Sequence, residues 1–402
     1  HYVFFLWYFR LKPLLKRNES TMKQYIETRH ENFLTDFQTI VNIDSSSDNK
    51  DGIEKVARFF EERFTSIGFD TEVLFLGDEK VPCLYAEHRP YKKPFDIMFL
   101  GHMDTVFPTG EVEKRPFSIA GNRAFGPGVC DMKGGLLVVL HVLETLKHEG
   151  ILDSLSICVA FNGDEETGSN ASKDWIMSTA KKSWRTFVFE PCRPGYRFVL
   201  QRKGGGWFKV IVKGQEAHAG ADPEKGINAV VELAHQIVKI NQLNQNEMET
   251  SAHVTVITGG DKVNIIPNKA EASVDVRILK LEEKERIETF FKTLPEHPYL
   301  KGSEIIIQGQ INRPPMEPGD GTRKLWELIR STGEKMGLPM EAISTGGCSD
   351  GNYTSAAGTP TIDGMGIVGA NSHRADEYAE LDSIDNMVFL VAQVCKTIGQ
   401  EI

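Results

Sequence analysis

Three apolar runs in the first half of this chain each stop against an acid or a histidine. PFDIMFLGHMD (94–104), SLSICVAFNGDEE (154–166) and RTFVFEP (185–191) carry too little alternation for strands with one wet face. Such runs predict strands covered on both sides, hence a mainly parallel sheet flanked by helices. Between the first two lies Leu136–Leu146, almost wholly apolar, which predicts a helix buried on most sides. Ligands of open α/β sheets bind at the carboxyl ends of the strands. His102, Asp104, Glu165, Glu166 and Glu190 all fall there.

The rest of the chain frames that sheet. From Tyr25 to Ile67 apolar residues recur at helical spacing (Phe33, Phe37, Ile40, Val41, then Val56, Phe59, Phe60, Phe64), with Asp48–Gly52 between two helices. After Pro194–Gly195 the rhythm changes. GGWFKVIVKG, a helical GINAVVELAHQIVKINQLN, HVTVITGG, KAEASVDVRIL, a helical EEKERIETFFKTL and SEIIIQGQ follow in the order β-α-β-β-α-β. That is the ferredoxin-like order, over about residues 202–313. RPPMEPGDG (313–321) reads as a hinge back to two amphipathic helices and a strand around PTIDGMGIVG. At 402 residues the chain exceeds the size of one comfortable core. The expected organisation is therefore a discontinuous catalytic domain (22–201 with 314–402) and an inserted α+β lid (202–313).

Residues 1–21 differ from everything after them. An aromatic run precedes the basic residues Arg10, Lys12, Lys16 and Arg17, the reverse of a secretory signal, and it is too short for a membrane span. The reading is a non-native or disordered extension, with Met22 a plausible start and a truncated signal or anchor the alternative. A net charge of −10 argues against nucleic acid and anionic membrane as partners. The six scattered cysteines form no CxxC pair, which favours reduced thiols and a cytoplasmic location.

The chemistry rests on an ordered set. In H-x-D, strand periodicity puts His102 and Asp104 on one side, and a carboxylate beside a metal-binding imidazole fixes its tautomer. Taken alone the tripeptide reads equally as a strand-end ion pair. Asp131 sits in the glycine-rich GPGVCDMKGG (126–135), where it could lend an oxygen to each of two cations or simply cap the helix that follows. Lys133 beside it reads as a surface cation or a support of the site. Glu165 and Glu166 in GDEETGS (163–169) divide labour between a ligand and a general base on metal-bound water, unless the loop is merely solvated. Glu190 after FVF suggests a buried partner, and His373 in NSHRADEY (371–378) closes the set. Histidine and carboxylate ligands without cysteine suit zinc, with cobalt or manganese possible.

GHMDTV, GPGVCDMKGG, GDEETGS, VFEP, the AHAG of 217–220, GGDKVNIIP and TGGCSDG resemble the di-zinc metallopeptidase family of glutamate carboxypeptidase, aminoacylase and succinyl-diaminopimelate desuccinylase. The likeness runs from about residue 25 to the C-terminus and is strongest to the glutamate carboxypeptidase branch. It implies two zinc ions per chain, one held by His102, Asp131 and Glu190, the other by Asp131, Glu166 and His373. Glu165 would be the general base and Asp104 the partner of His102. A Glu at 190 goes, in that family, with carboxypeptidase and acylase activity. His218 would reach the developing oxyanion across a subunit boundary, with Asn264 nearby, so a homodimer through the inserted domain is implied. Arg277 and Arg313 would read a substrate carboxylate. Arg197 reads either as a further such cation or as a surface ion pair. The resemblance gives Arg374 and Glu377 no role.

The expected activity is removal of a C-terminal, acidic amino acid from a peptide or N-acyl conjugate. The alternatives are an N-acyl-amino-acid deacylase or desuccinylase with the same metals, and an inactive peptide-binding relative.

Overall fold

The computed structural model describes residues 2–91, 93–244 and 247–400, with side chains from Thr21 onward. It forms two compact units. One holds the chain up to Leu200, Pro318–Ile343 and everything from Ser349; the other holds Gln201–Glu317 and Ser344–Cys348.

The first unit is built on a six-stranded sheet in the order Asp70–Leu76, Val81–His88, Ile157–Asn162, Ile97–His102, Thr186–Val188, Thr361–Ile362. The last four run parallel to one another, as the unbroken apolar runs require. Every residue of Ile97–His102 and of Ile157–Asn162 is buried. The first two strands form an antiparallel hairpin, so the sheet is mixed at that edge. Val81–His88 is buried for most of its length although it lies in an antiparallel pair.

Helices Lys50–Ser66 and Gly134–His148 pack on the sheet, and Tyr2–Val41 and Ser383–Gln400 pack in turn on Gly134–His148. Gly134–His148 is buried at Leu136–Leu143 without a break, which accounts for its lack of a polar face. Its start is set against the sheet so closely that a Cβ on Gly135 would stand 2.0 Å from the Phe189 carbonyl oxygen. Only glycine permits that approach, and it brings the Asp131 turn to the end of the Thr186–Val188 strand. Phe33, Phe37, Phe60, Phe64, Phe99, Phe161, Phe187 and Phe189 fill the core between helices and sheet. A smaller four-stranded sheet, Gly369–Ala370, Tyr378–Glu380, Arg123–Phe125 and Ser118–Ala120, lies at its margin.

The second unit has a four-stranded antiparallel sheet in the order Ser251–Gly259, Lys269–Ile278, Gly204–Lys213, Glu304–Arg313. Helices Ala229–Asn241 and Glu282–Thr293 fall between its strands in the β-α-β-β-α-β order. Its core is its own, with Phe208 stacked on Phe291 at 3.9 Å. The strip Ser344–Cys348 packs with this unit, where the sequence places everything after 314 in the first. Thr345 and Gly347 accept hydrogen bonds from Lys203 and Arg202, which no local pattern announces.

Candidate metal centre

His102 ends the Ile97–His102 strand and is fully enclosed. Its Nδ1 lies 3.0 Å from the Asp104 backbone carbonyl and 3.4 Å from the Asp104 carboxylate. A carbonyl can only accept, so Nδ1 carries a proton and Nε2 is the nitrogen turned to the site. It faces Asp131 Oδ1 at 3.2 Å and Glu190 Oε1 at 3.6 Å.

Asp131 projects from the Val129–Lys133 turn, where its own backbone leaves the helical region (φ −112°, ψ 93°). Its second oxygen, Oδ2, lies 3.3 Å from His373 Nε2. His373 Nε2 is in turn 3.1 Å from Glu166 Oε2. One carboxylate thus shows an oxygen to each of two imidazoles. The ligand atoms of His102, Asp131 and Glu190 all lie within 4.8 Å of one another, and so do those of Asp131, Glu166 and His373.

Glu165 opens the short Glu165–Thr167 turn and is buried. The turn is held by Asp104. Its Oδ1 accepts from the Glu165 N–H at 3.2 Å and its Oδ2 from the Glu166 N–H at 3.1 Å. Ser47 Oγ donates to the same Oδ2 at 2.7 Å. Asp104 therefore orients the tandem glutamates through their backbone as well as standing beside His102.

The electrostatics describe a site short of positive charge. Burial works against ionisation of Asp131, but His102 and His373 hold its carboxyl well below the usual range. Burial, with Asp131 next to it, pushes Glu190 far above the usual value. Glu166 is pushed up to about 7 by burial and the charges of Asp131 and Glu165. His373 is raised to about 11 by its bonds to Asp131 and Glu166. Burial opposes the charged form of His102, yet Asp104, Asp131 and Glu190 raise it well above its ordinary value. Protons are drawn onto the imidazoles because enclosed carboxylates repel one another. Glu166 Oε1 is buried with no hydrogen-bond partner. Two divalent cations fit this donor set: they satisfy the orphan oxygen, return both Nε2 lone pairs to use and relieve the crowded carboxylates.

The sequence profile described as Peptidase family M20/M25/M40 matches residues 98–397. The chain belongs to that family. It is accordingly a hydrolase of metallopeptidase type. It is 29% identical over 400 residues to carboxypeptidase G2 of Pseudomonas sp. (strain RS-16), covering 96% of this chain and 94% of that one. It is 27% identical over 340 residues to succinyl-diaminopimelate desuccinylase of Gluconobacter oxydans (strain 621H), covering 80% and 86%. Its fold matches that of aminopeptidase PepT from Bacillus cereus ATCC 10987 with a TM-score of 0.75 at 22% identity, over 92% of this chain and 98% of that one.

The remaining residues singled out in the sequence of this M20 family member lie in the second unit, apart from Arg197. His218 is exposed, and its Nδ1 accepts from the Gly220 and Ala221 N–H groups at 3.1 and 3.0 Å. That leaves the proton on Nε2, a donor pointed away from its own loop. Asn264 is joined to this loop, its carbonyl accepting from Ala219 N at 2.9 Å. Arg277 and Arg313 stand in register on either side of Gly205, which puts no side chain between them. Arg277 is gripped by Asp275 through Nε at 3.0 Å and Nη2 at 2.9 Å. Arg197, in the first unit, is exposed and donates from Nε to the Pro194 carbonyl at 3.0 Å, so it closes its own turn.

Two neighbours of the centre, Ser47 and Glu377, have no role in the sequence reading, and a third, Lys133, reads there as a surface cation or a support of the site. Ser47 supports Asp104 from a loop 57 residues upstream. Glu377 accepts from the Cys130 N–H at 2.7 Å and the Asp131 N–H at 2.9 Å. Lys133 is not a surface cation: it is buried, donates to the Ile43 carbonyl at 2.6 Å, and is brought down to about 7 by burial. The glycine frame around DMK was its one local signal.

Proposed function

We propose that this chain is a zinc-dependent exo-hydrolase that cleaves the amide before a C-terminal amino acid, with a preference for acidic ones. The observation that carries the reading is Asp131, whose two oxygens face His102 and His373 separately, beside a buried Glu165 on an Asp104-held turn. His102, Asp131 and Glu190 would hold one zinc and Asp131, Glu166 and His373 the other. Bound there, the cations supply Lewis-acid polarisation of the scissile carbonyl and acidify water.

Glu165 takes a proton from the attacking water as the water oxygen bonds to the carbonyl carbon. It then passes that proton to the leaving nitrogen as the C–N bond breaks, ending ionised as it began. Asp104 keeps Glu165 aimed through both peptide N–H bonds of the turn. To His218, with its outward Nε2–H, and to Asn264 we assign the oxyanion. To Arg277 and Arg313 we assign the substrate carboxylate, which suits a planar guanidinium.

A homodimer through the second unit is part of this reading. Ser251–Gly259 is one of the two edge strands of its sheet, and Val256 and Ile257 on it are 55% and 58% exposed. Val238 on the neighbouring helix is 63% exposed. An open strand edge flanked by apolar side chains invites pairing with a second copy.

The test is a hydrolysis screen of N-acylated amino acids with metal content measured in parallel. The expected result is cleavage favouring N-acyl-glutamate, two metals per chain, and Glu165→Ala slowed by about 10²–10⁴-fold with metals retained. Cleavage of N-succinyl-diaminopimelate in preference to N-acyl-glutamate would favour the desuccinylase alternative, which the Gluconobacter relative keeps in view. Undiminished activity in Glu165→Ala would remove the proposed base.

A further inference from the structure

The loop between Gly369–Ala370 and Tyr378–Glu380 holds Asp131 from two sides. Its His373 reaches the Asp131 carboxylate at 3.3 Å, and its Glu377 receives the Asp131 backbone N–H at 2.9 Å. The same Glu377 oxygen takes the Cys130 N–H at 2.7 Å. Glu377 is 0% exposed. The two partners are 246 residues apart in sequence and meet because Tyr378–Glu380 pairs with Arg123–Phe125, the strand that leads into the Asp131 turn. Phe125 lies opposite Tyr378, so the turn and the loop leave the same end of one ribbon.

A turn whose Asp131 and Met132 dihedrals lie outside the helical region cannot satisfy these N–H groups by helical bonds. A buried carboxylate satisfies them instead. Fixing the peptide N–H of Asp131 fixes where its Cα sits and hence where both side-chain oxygens point. We propose that Glu377 is a positioning residue for the bridging carboxylate: it touches no metal, but sets the spacing of the two metal pockets by gripping the backbone of the residue they share. This rests on the two-metal reading above. Groups that orient a ligand in this way are worth about 10–100-fold in metal affinity.

The experiment titrates apo-protein with Zn²⁺ against a chromophoric chelator and records the visible spectrum of the Co²⁺-loaded form. Glu377→Ala is expected to weaken zinc binding by about 10–100-fold and to alter the Co²⁺ bands, because the shared ligand shifts. Glu377→Asp, one methylene too short for its oxygen to reach the two N–H groups, is expected to lose affinity as well, and it carries the test if the alanine variant does not fold. Glu377→Gln retains a carbonyl oxygen as acceptor and is expected to recover most of the affinity. Unchanged affinity and an unchanged Co²⁺ spectrum in folded Glu377→Asp overturn the proposal while leaving the two-metal reading intact. If Glu377→Gln is as impaired as Glu377→Asp, the residue acts through charge and the positioning claim fails. A wild-type protein that takes up no zinc overturns the two-metal reading itself, and this proposal with it.

Discussion

Replacing Asp104 by asparagine exchanges one carboxylate oxygen for an NH2 group and places a donor against the Glu165–Thr167 turn. The two carboxylate oxygens serve different donors: Oδ1 accepts from Glu165 N and Oδ2 from Glu166 N and Ser47 Oγ. An amide has one oxygen, so in either orientation its NH2 meets at least one N–H head-on. Asp104 is 0% exposed, so water cannot repair the mismatch. A buried donor left without an acceptor costs about 1–3 kcal/mol, and one or two are orphaned here. Asp104→Asn is therefore expected to lose about 2–4 kcal/mol, and Asp104→Ala somewhat more. Urea unfolding in the presence of a chelator measures this without a contribution from metal binding. The same mismatch displaces Glu165, and a shift on the order of 1 Å in a reacting group costs about 10²-fold. That loss should fall on kcat, with KM little changed, since Asp104 is assigned no contact with substrate. An Asp104→Asn protein of wild-type stability, or one with kcat within about threefold of wild type, refutes the assigned role of the carboxylate.

Further expectations concern the scaffold and the metals. Arg63 joins Asp36 at 2.8 Å and Glu144 at 2.9 Å, pinning three helices together. Burial opposes ionisation of Asp36, but His141 and Arg63 pull its carboxyl below the usual range. A lowered folded pKa gives stability that is complete above the unfolded value and fades as pH falls through the folded one. Asp36→Asn should thus cost about 2 kcal/mol at neutral pH, less than a fully buried pair because Arg63 is partly exposed. The gap to wild type should narrow in acid; an undiminished gap at low pH counts against the pairing. Gly135→Ala drives a methyl into the Phe189 carbonyl, a backbone atom that cannot swing aside. It should cost about 3 kcal/mol or more in chemical unfolding, and a neutral effect would show that the helix start is not held where it is described. Chelation should lower the melting temperature, and added Zn²⁺ should restore it in a concentration-dependent way. A melting temperature indifferent to both would contradict the metal centre.

What the sequence reveals here depends on whether a feature is local. The strands ending at His102, Asn162 and Val188 are legible because unbroken apolar runs have few other uses. The β-α-β-β-α-β order of residues 204–313 is legible because its periodicities switch cleanly between two and 3.6. The antiparallel pairing of Val81–His88 with Ile157–Asn162 is not, since nothing within VPCLYAEH selects a distant partner. Ser47 and Glu377 are invisible for the same reason. Ser47 offers one hydrogen bond to a residue 57 positions away and Glu377 accepts two from residues 247 and 246 positions away, and an isolated serine or glutamate in a loop has many commoner uses. Ser344–Cys348 joins the second unit through one backbone bond from Lys203 and side-chain bonds of Arg202, Arg277 and Cys348, which leave no mark on composition.

The half-exposed ring of His373 distinguishes the two pockets that Asp131 serves. His102, Asp131 and Glu190 are all enclosed, whereas the side chain of His373 is 54% exposed on a loop where its φ of +67° is strained for a residue with a Cβ. Departure of an ion through one swinging imidazole is easier than through three enclosed groups. The pair of ions should therefore exchange at unequal rates, and the His373 pocket should empty first and refill last. Release into excess chelator, followed by stopped flow, should run in two phases, and His373→Ala should abolish the faster one. If both pockets load, the form holding one ion in the enclosed pocket should be the species that accumulates between the two phases.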